Sequence, residues 1–276
     1  MIDYVLALAT VTLAWWLSTG IVLFLNRQLT GLRQLSLLAV TLLAVLSLLY
    51  LPVRSHDRSA MGALLGFGQG LVLWAWLEMT YLMGIVTGPR KLPCPDSART
   101  SQRFWLGLQT SIYHEMLVVA LVLTTALLTS GGENKVAFTT CTALWLMRWS
   151  AKLNLFLGIR NYNSDWFPPS LAYLDSYTRR KPMNLLFPVS VTAGTAAAVW
   201  LLVTAMLTAD PFLRSANLLV SALLSLAVLE HWFLVYPFGE SALWSWALNP
   251  QKPGSEIAKN VHHLPVTRVE RRARTP

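Results

Sequence analysis

The chain has 276 residues, 54% of them hydrophobic and only 13% charged, with a net charge of +9. An ordinary soluble domain carries about 25% charged residues, so this composition excludes a soluble globular core and makes lipid the main solvent. The basic residues fall between apolar runs and accompany no nucleic-acid motif, which ties them to membrane topology and argues against nucleic acid as a partner.

A helix needs about 20 apolar residues to cross the hydrocarbon core. Seven segments reach that length: 3–25, 34–53, 60–86, 104–129, 136–159, 184–208 and 212–236. Lipid offers no partner for open backbone groups, so each is expected to be helical and the fold to be an all-α transmembrane bundle. The first segment is long enough to remain as a helix, and Met1-Ile2-Asp3 lacks the basic start of a signal peptide. The third opens with Gly62, Gly66, Gly68 and Gly70, small residues that allow close helix approach in lipid. Gly131-Gly132-Glu133-Asn134 reads as a tight turn between the fourth and fifth. Residues 160–183 mix aromatic and basic residues and are expected to lie on the membrane surface, as is the stretch Phe238–Trp246. The twelve Trp residues are expected to form interfacial belts near the ends of the apolar runs. The bundle therefore occupies 1–249, and the basic tail 250–276 is expected to be disordered.

Orientation follows from the Lys and Arg count. Sixteen fall in the loops after the first, third and fifth spans and in the tail, against four on the other side (Arg54, Arg58, Lys135 and Arg214). The positive-inside rule then places the N-terminus outside and the C-terminus in the cytoplasm of a multi-pass membrane protein.

Ionisable residues within spans are costly in lipid and mark candidate functional sites. Glu78, His114, Glu115, Arg148, Lys152, Asn154, Glu230 and His231 all fall in the cytoplasmic half of their spans, so four helices are expected to converge on one polar centre. Arg148 and Lys152 are four apart and share a helix face. They need anions opposite, for which Glu78, Glu115 and Glu230 are available. Trp74 and Tyr81 flank Glu78 at helical spacing.

Three chemistries compete with simple helix registration by ion pairs. Neutral imidazole at His114 or His231 suits a pigment or another tetrapyrrole. Glu115 and Glu230, with Glu78 and the two histidines, suit iron or another metal, although adjacent His-Glu side chains diverge by about 100° on a helix. A proton or solute path is the third, against which no inverted repeat is visible. No hydrolase, nucleotide or zinc-protease motif is present. Cys94 and Cys141 share no metal or disulfide spacing.

Several blocks occur together in one order. They are Lys152-Leu-Asn154-Leu-Phe-Leu-Gly158-Ile-Arg-Asn161, Leu171-Ala-Tyr173-Leu-Asp-Ser176-Tyr177, Pro182-Met183-Asn184-Leu-Leu-Phe187-Pro188-Val-Ser190-Val-Thr192, Leu229-Glu230-His231-Trp232-Phe233 and Leu243-Trp244-Ser-Trp246. From residue 1 to about 250 the chain resembles the PuhE family of photosynthetic complex assembly proteins from phototrophic bacteria. That resemblance implies a role in assembling the reaction centre–light-harvesting complex or in adjusting bacteriochlorophyll supply. Its implied partners are reaction-centre or light-harvesting subunits or pigment-synthesis proteins, with membrane lipid around them. It supplies no catalytic residues. An intramembrane metal- or tetrapyrrole-dependent enzyme and a small-solute transporter stay open as alternatives.

Overall fold

The structure, a computed structural model, describes residues 2–28, 30–161, 168–236 and 243–248. It is 77% helix, with no strands among the described residues. In chain order the helices are α1 (Ile2–Asn26), α2 (Thr30–Arg54), α3 (Ala60–Leu82), α4 (Thr100–Gln109), α5 (Ile112–Leu128) and α6 (Val136–Leu157). After a 3₁₀ segment at Pro169–Tyr177 come α7 (Leu186–Leu207), α8 (Pro211–Phe233) and the short α9 (Ser245–Leu248).

Among the described residues, α1, α2, α3, α7 and α8 are long and apolar enough to cross a membrane. Outward-facing residues such as Leu38, Leu49 and Leu207 are left exposed, as lipid requires in place of water. The expected fourth span is not one straight helix: α4 and α5 meet at a 64° bend, and they make a sixth candidate span only if taken together. The expected fifth span is helical as α6, but its polar residues keep it out of that set.

The bend is fixed both within the helix pair and from outside it. Thr110 turns its hydroxyl back onto the Gly107 carbonyl at 2.6 Å. The connection from α3 runs against the break, where Arg90 N donates to Gln109 O at 3.3 Å and His114 N to Thr87 O at 3.0 Å. One of the orphan amides that open α5 is thereby satisfied. Gly88 sits where a β-carbon would strike the backbone of Thr110 and Ser111.

α8 is the centre of the bundle and packs on α1, α3, α6 and α7, most extensively on α7. Ser221 donates across to the Ala198 carbonyl at 2.8 Å. α3 approaches α6 closely at Gly70, where an added β-carbon would lie 2.8 Å from Thr140. Gly66 packs in the same way against Asn134 and Val136, whereas Gly68 faces open space.

The two ends of the bundle differ in charge. At one end Arg58 pairs with Glu133 at 2.6 Å and with Asp210, Arg54 lies 3.5 Å from Asp57, and Arg214 lies 3.9 Å from Asp3. There Asn134 also donates to the Asp57 and Gly62 carbonyls at 3.0 and 2.9 Å, tying the α5–α6 turn to the α2–α3 turn. The other end collects the basic loops.

At the basic end the segment after α6 is largely exposed, as expected of a surface element, but it is anchored to the bundle at several points; its residues 162–167 lie outside the described residues. Gly158, at φ 114°, closes α6. Ile159 then bridges to Arg180, and Asn161 N donates to Leu234 O at 2.9 Å. Leu171 and Tyr177 are buried, so this stretch caps the bundle. Tyr177 Oη accepts from Arg90 at 2.6 Å and donates to Leu92 O at 2.9 Å, joining the two loops. The Phe238–Trp246 expectation also changes. Trp244 is 1% exposed and packs with Leu23 of α1, while 237–242 and the tail 249–276 lie outside the described residues.

Candidate functional site

Between the helices, at the basic end, lies a cavity of about 960 Å³. Six of the eight polar residues expected to converge line it: Glu78, Glu115, Arg148, Lys152, Glu230 and His231. They come from α3, α5, α6 and α8, so the four expected helices do meet.

Two ion pairs cross the cavity wall. Arg148 of α6 holds Glu78 of α3 at 2.8 Å. One turn later on the same face, Lys152 pairs with Glu115 of α5. The second Glu115 oxygen accepts the Trp149 indole N–H at 2.7 Å. Glu115 stands in the first turn of α5, where the positive end of the helix dipole favours a carboxylate. The bend that begins α5 is what puts it there.

Glu230 is differently placed. One oxygen accepts the Trp15 indole N–H at 2.6 Å. No Lys or Arg pairs with it among the described residues, and its exposed surface faces the cavity.

The histidines divide. His231 lies with Nδ1 at 2.8 Å from the Ala227 carbonyl and Nε2 at 2.9 Å from the Ser150 hydroxyl. A carbonyl can only accept, so Nδ1 carries the proton and Nε2 receives the Ser150 hydrogen. Both nitrogens are engaged by the protein. His114 is wholly buried and outside the cavity, its ring 4.6 Å from Tyr81, and neither nitrogen has a hydrogen-bond partner. Among the described residues no three His, Cys, Asp or Glu side chains gather closely enough to hold a metal ion. The five-residue metal cluster considered from the sequence is therefore not assembled.

Asn154 also stands apart. Its amide donates to Ser150 O at 2.9 Å and Ser190 Oγ at 3.1 Å, on the side of α7. It belongs to a junction built by Asn184. The Asn184 amide nitrogen donates to Asn154 O at 3.2 Å and Gly158 O at 3.0 Å, while its oxygen accepts from Leu186 N and Phe187 N at 2.9 and 3.2 Å. One side chain thus satisfies the orphan carbonyls that end α6 and the orphan amides that begin α7. Arg103 completes the α6 terminus, donating to Phe156 O at 2.7 Å with its guanidinium 4.4 Å from the Phe156 ring.

Four of the tryptophans face inward. Trp15, Trp74, Trp149 and Trp244 line the cavity. Trp15 and Trp244 meet edge to face at 5.0 Å, and Trp244 donates to Trp16 O at 3.0 Å. Trp15 and Trp149 were not singled out as carboxylate partners. The available signal was that a buried indole N–H needs an acceptor, and glutamates are the strongest acceptors at that depth.

A chain from Rhodobacter capsulatus, described as an uncharacterized 30.4 kDa protein in the puhA 5′ region, is 34% identical over 264 residues, covering 94% of this chain and 96% of that one. No solved structure matches. Residues 1–255 match the family described as "Protein of unknown function (DUF3623)", and to that family this chain belongs.

Proposed function

We propose that this protein is an integral factor of a bacterial inner membrane that assists assembly of the photosynthetic reaction centre–light-harvesting complex or adjusts bacteriochlorophyll supply to it. One observation carries the reading: a relative matched over nearly its whole length is named for its position in the puhA 5′ region. The resemblance to the PuhE family points the same way.

In this reading the chain crosses the bilayer seven times, with α4–α5 as one bent span and α6 as another. The basic end faces the cytoplasm, where the loops and tail meet anionic lipid or a partner. The small number of bases at the opposite end, Arg54, Arg58, Lys135 and Arg214, supports this orientation. The cavity holds a pigment or pigment precursor while it is passed to reaction-centre, light-harvesting or pigment-synthesis proteins. Its volume lies in the range of small-molecule sites, about 300–1,000 Å³, and its walls combine aromatic faces with a few fixed charges.

Deletion of the gene in its phototrophic host tests the reading. The expected result is a fall in the near-infrared absorption of the assembled complex, restored by the gene supplied in trans. Unchanged membrane spectra and unchanged phototrophic growth would overturn it.

A further inference from the structure

We infer that the cavity takes a planar macrocycle carrying magnesium, and that the side chain meeting the metal is Glu230 rather than either histidine. The inference rests on the pigment reading above and adds the class of metal and the residue that contacts it.

The argument runs by elimination among the polar groups at the cavity. Glu78 and Glu115 are neutralised by Arg148 and Lys152. His231 has both ring nitrogens committed, to Ala227 and Ser150. His114 lies outside the cavity, against Tyr81. Among the described cavity residues Glu230 is the one carboxylate with no Lys or Arg at ion-pairing distance, although the charge of Arg148 still acts on it. One of its oxygens is fixed by the Trp15 indole, and the other takes no hydrogen bond among the described residues. A carboxylate held by one hydrogen bond and open at its second oxygen is how a metal-binding carboxylate is oriented.

The donor type then selects the metal. Carboxylate oxygen suits a hard cation such as magnesium. Haem iron is most often held by imidazole, and neither imidazole is offered to this cavity, His231 being committed at both nitrogens and His114 lying outside it. The walls select the shape. Trp15 and Trp244 stand edge to face at 75°, and Trp74, Trp149, Tyr81 and Phe104 complete an aromatic lining. Flat rings pack on such walls in offset or edge contacts.

The test uses the full-length protein in nanodiscs, titrated with magnesium octaethylporphyrin and with its metal-free and iron forms. Binding is read from tryptophan quenching and the Soret band. The wild type is expected to bind the magnesium form at least about tenfold more tightly than the metal-free form. Glu230→Gln should abolish that preference, with size-exclusion chromatography and the thermal unfolding midpoint of the variant showing that it is folded. Trp15→Phe, which removes only the orienting N–H, should reduce the preference in part. His114→Gln should leave it intact. Equal affinity for all three probes, a preference retained in Glu230→Gln, or a preference lost in His114→Gln would each overturn the inference. A gene deletion with a clear phenotype, combined with no magnesium preference, would overturn this inference alone. A magnesium preference without a deletion phenotype would instead overturn the assembly reading.

Discussion

Replacing Lys152 by Met strips Glu115 of its cation and leaves the carboxylate, 8% exposed at its side chain, inside the bundle. Breaking a buried ion pair by removing one partner costs about 3–5 kcal/mol, most of it the desolvation of the charge left behind. Two features reduce the cost here. Trp149 still donates to Glu115 at 2.7 Å, and the Lys152 side chain, 29% exposed, already borders the cavity. The expected destabilisation is therefore about 2–3 kcal/mol, or about 30- to 150-fold in the unfolding constant. Reversible unfolding in mixed micelles measures it. The double variant Lys152→Met with Glu115→Leu removes both charges, and should recover most of the loss because an apolar pair of similar volume replaces a buried ion pair at little cost. A Lys152→Met protein within about 0.5 kcal/mol of wild type would refute the reasoning, since a surface pair gives that value. A double variant as unstable as the single one would also refute it, by showing that the loss lies in packing.

Two further substitutions probe the frame around the site. Gly70→Ala drives a methyl into Thr140 at the α3–α6 contact and should cost about 1–3 kcal/mol. Gly68→Ala faces open space and should be neutral or slightly stabilising, so equal effects at the two positions would discount the packing account. Asn184→Ala removes the bonds that link the end of α6 to the start of α7 and should cost about 2–4 kcal/mol at about 1 kcal/mol per hydrogen bond. Amide exchange should rise first at Leu186 and Phe187, and unchanged protection there would contradict the capping role.

Hydropathy and charge, read residue by residue, carried most of the architecture. Lipid forces apolar runs to be helical, so the helices begin and end within a few residues of the expected spans wherever the run is unbroken, as in α1, α6 and α7. The choice of polar residues was legible for the same reason: a charge in lipid must meet a partner, and Arg148 and Lys152 did meet Glu78 and Glu115. The bend at Thr110–Ser111 was hidden, because it depends on the backbone of residues 87–90 pressing against the break from a distant part of the chain. That Leu171, Tyr177 and Trp244 turn inward from largely exposed segments was not legible, because composition alone does not distinguish an amphipathic segment lying on lipid from one anchored on a bundle. Rotation about a helix axis was beyond the sequence too. Depth placed His114, His231 and Glu230 in the same half of the membrane, and residue type favoured the two histidines as pigment contacts. Only the packing of Ser150 on His231, of Tyr81 on His114 and of Trp15 on Glu230 separated them, since hydrogen-bond commitments are made across helices that share no local sequence. Sequence by itself determined that charge would lie in the membrane and at which end; tertiary structure decided which of those charges remains unpaired in the cavity.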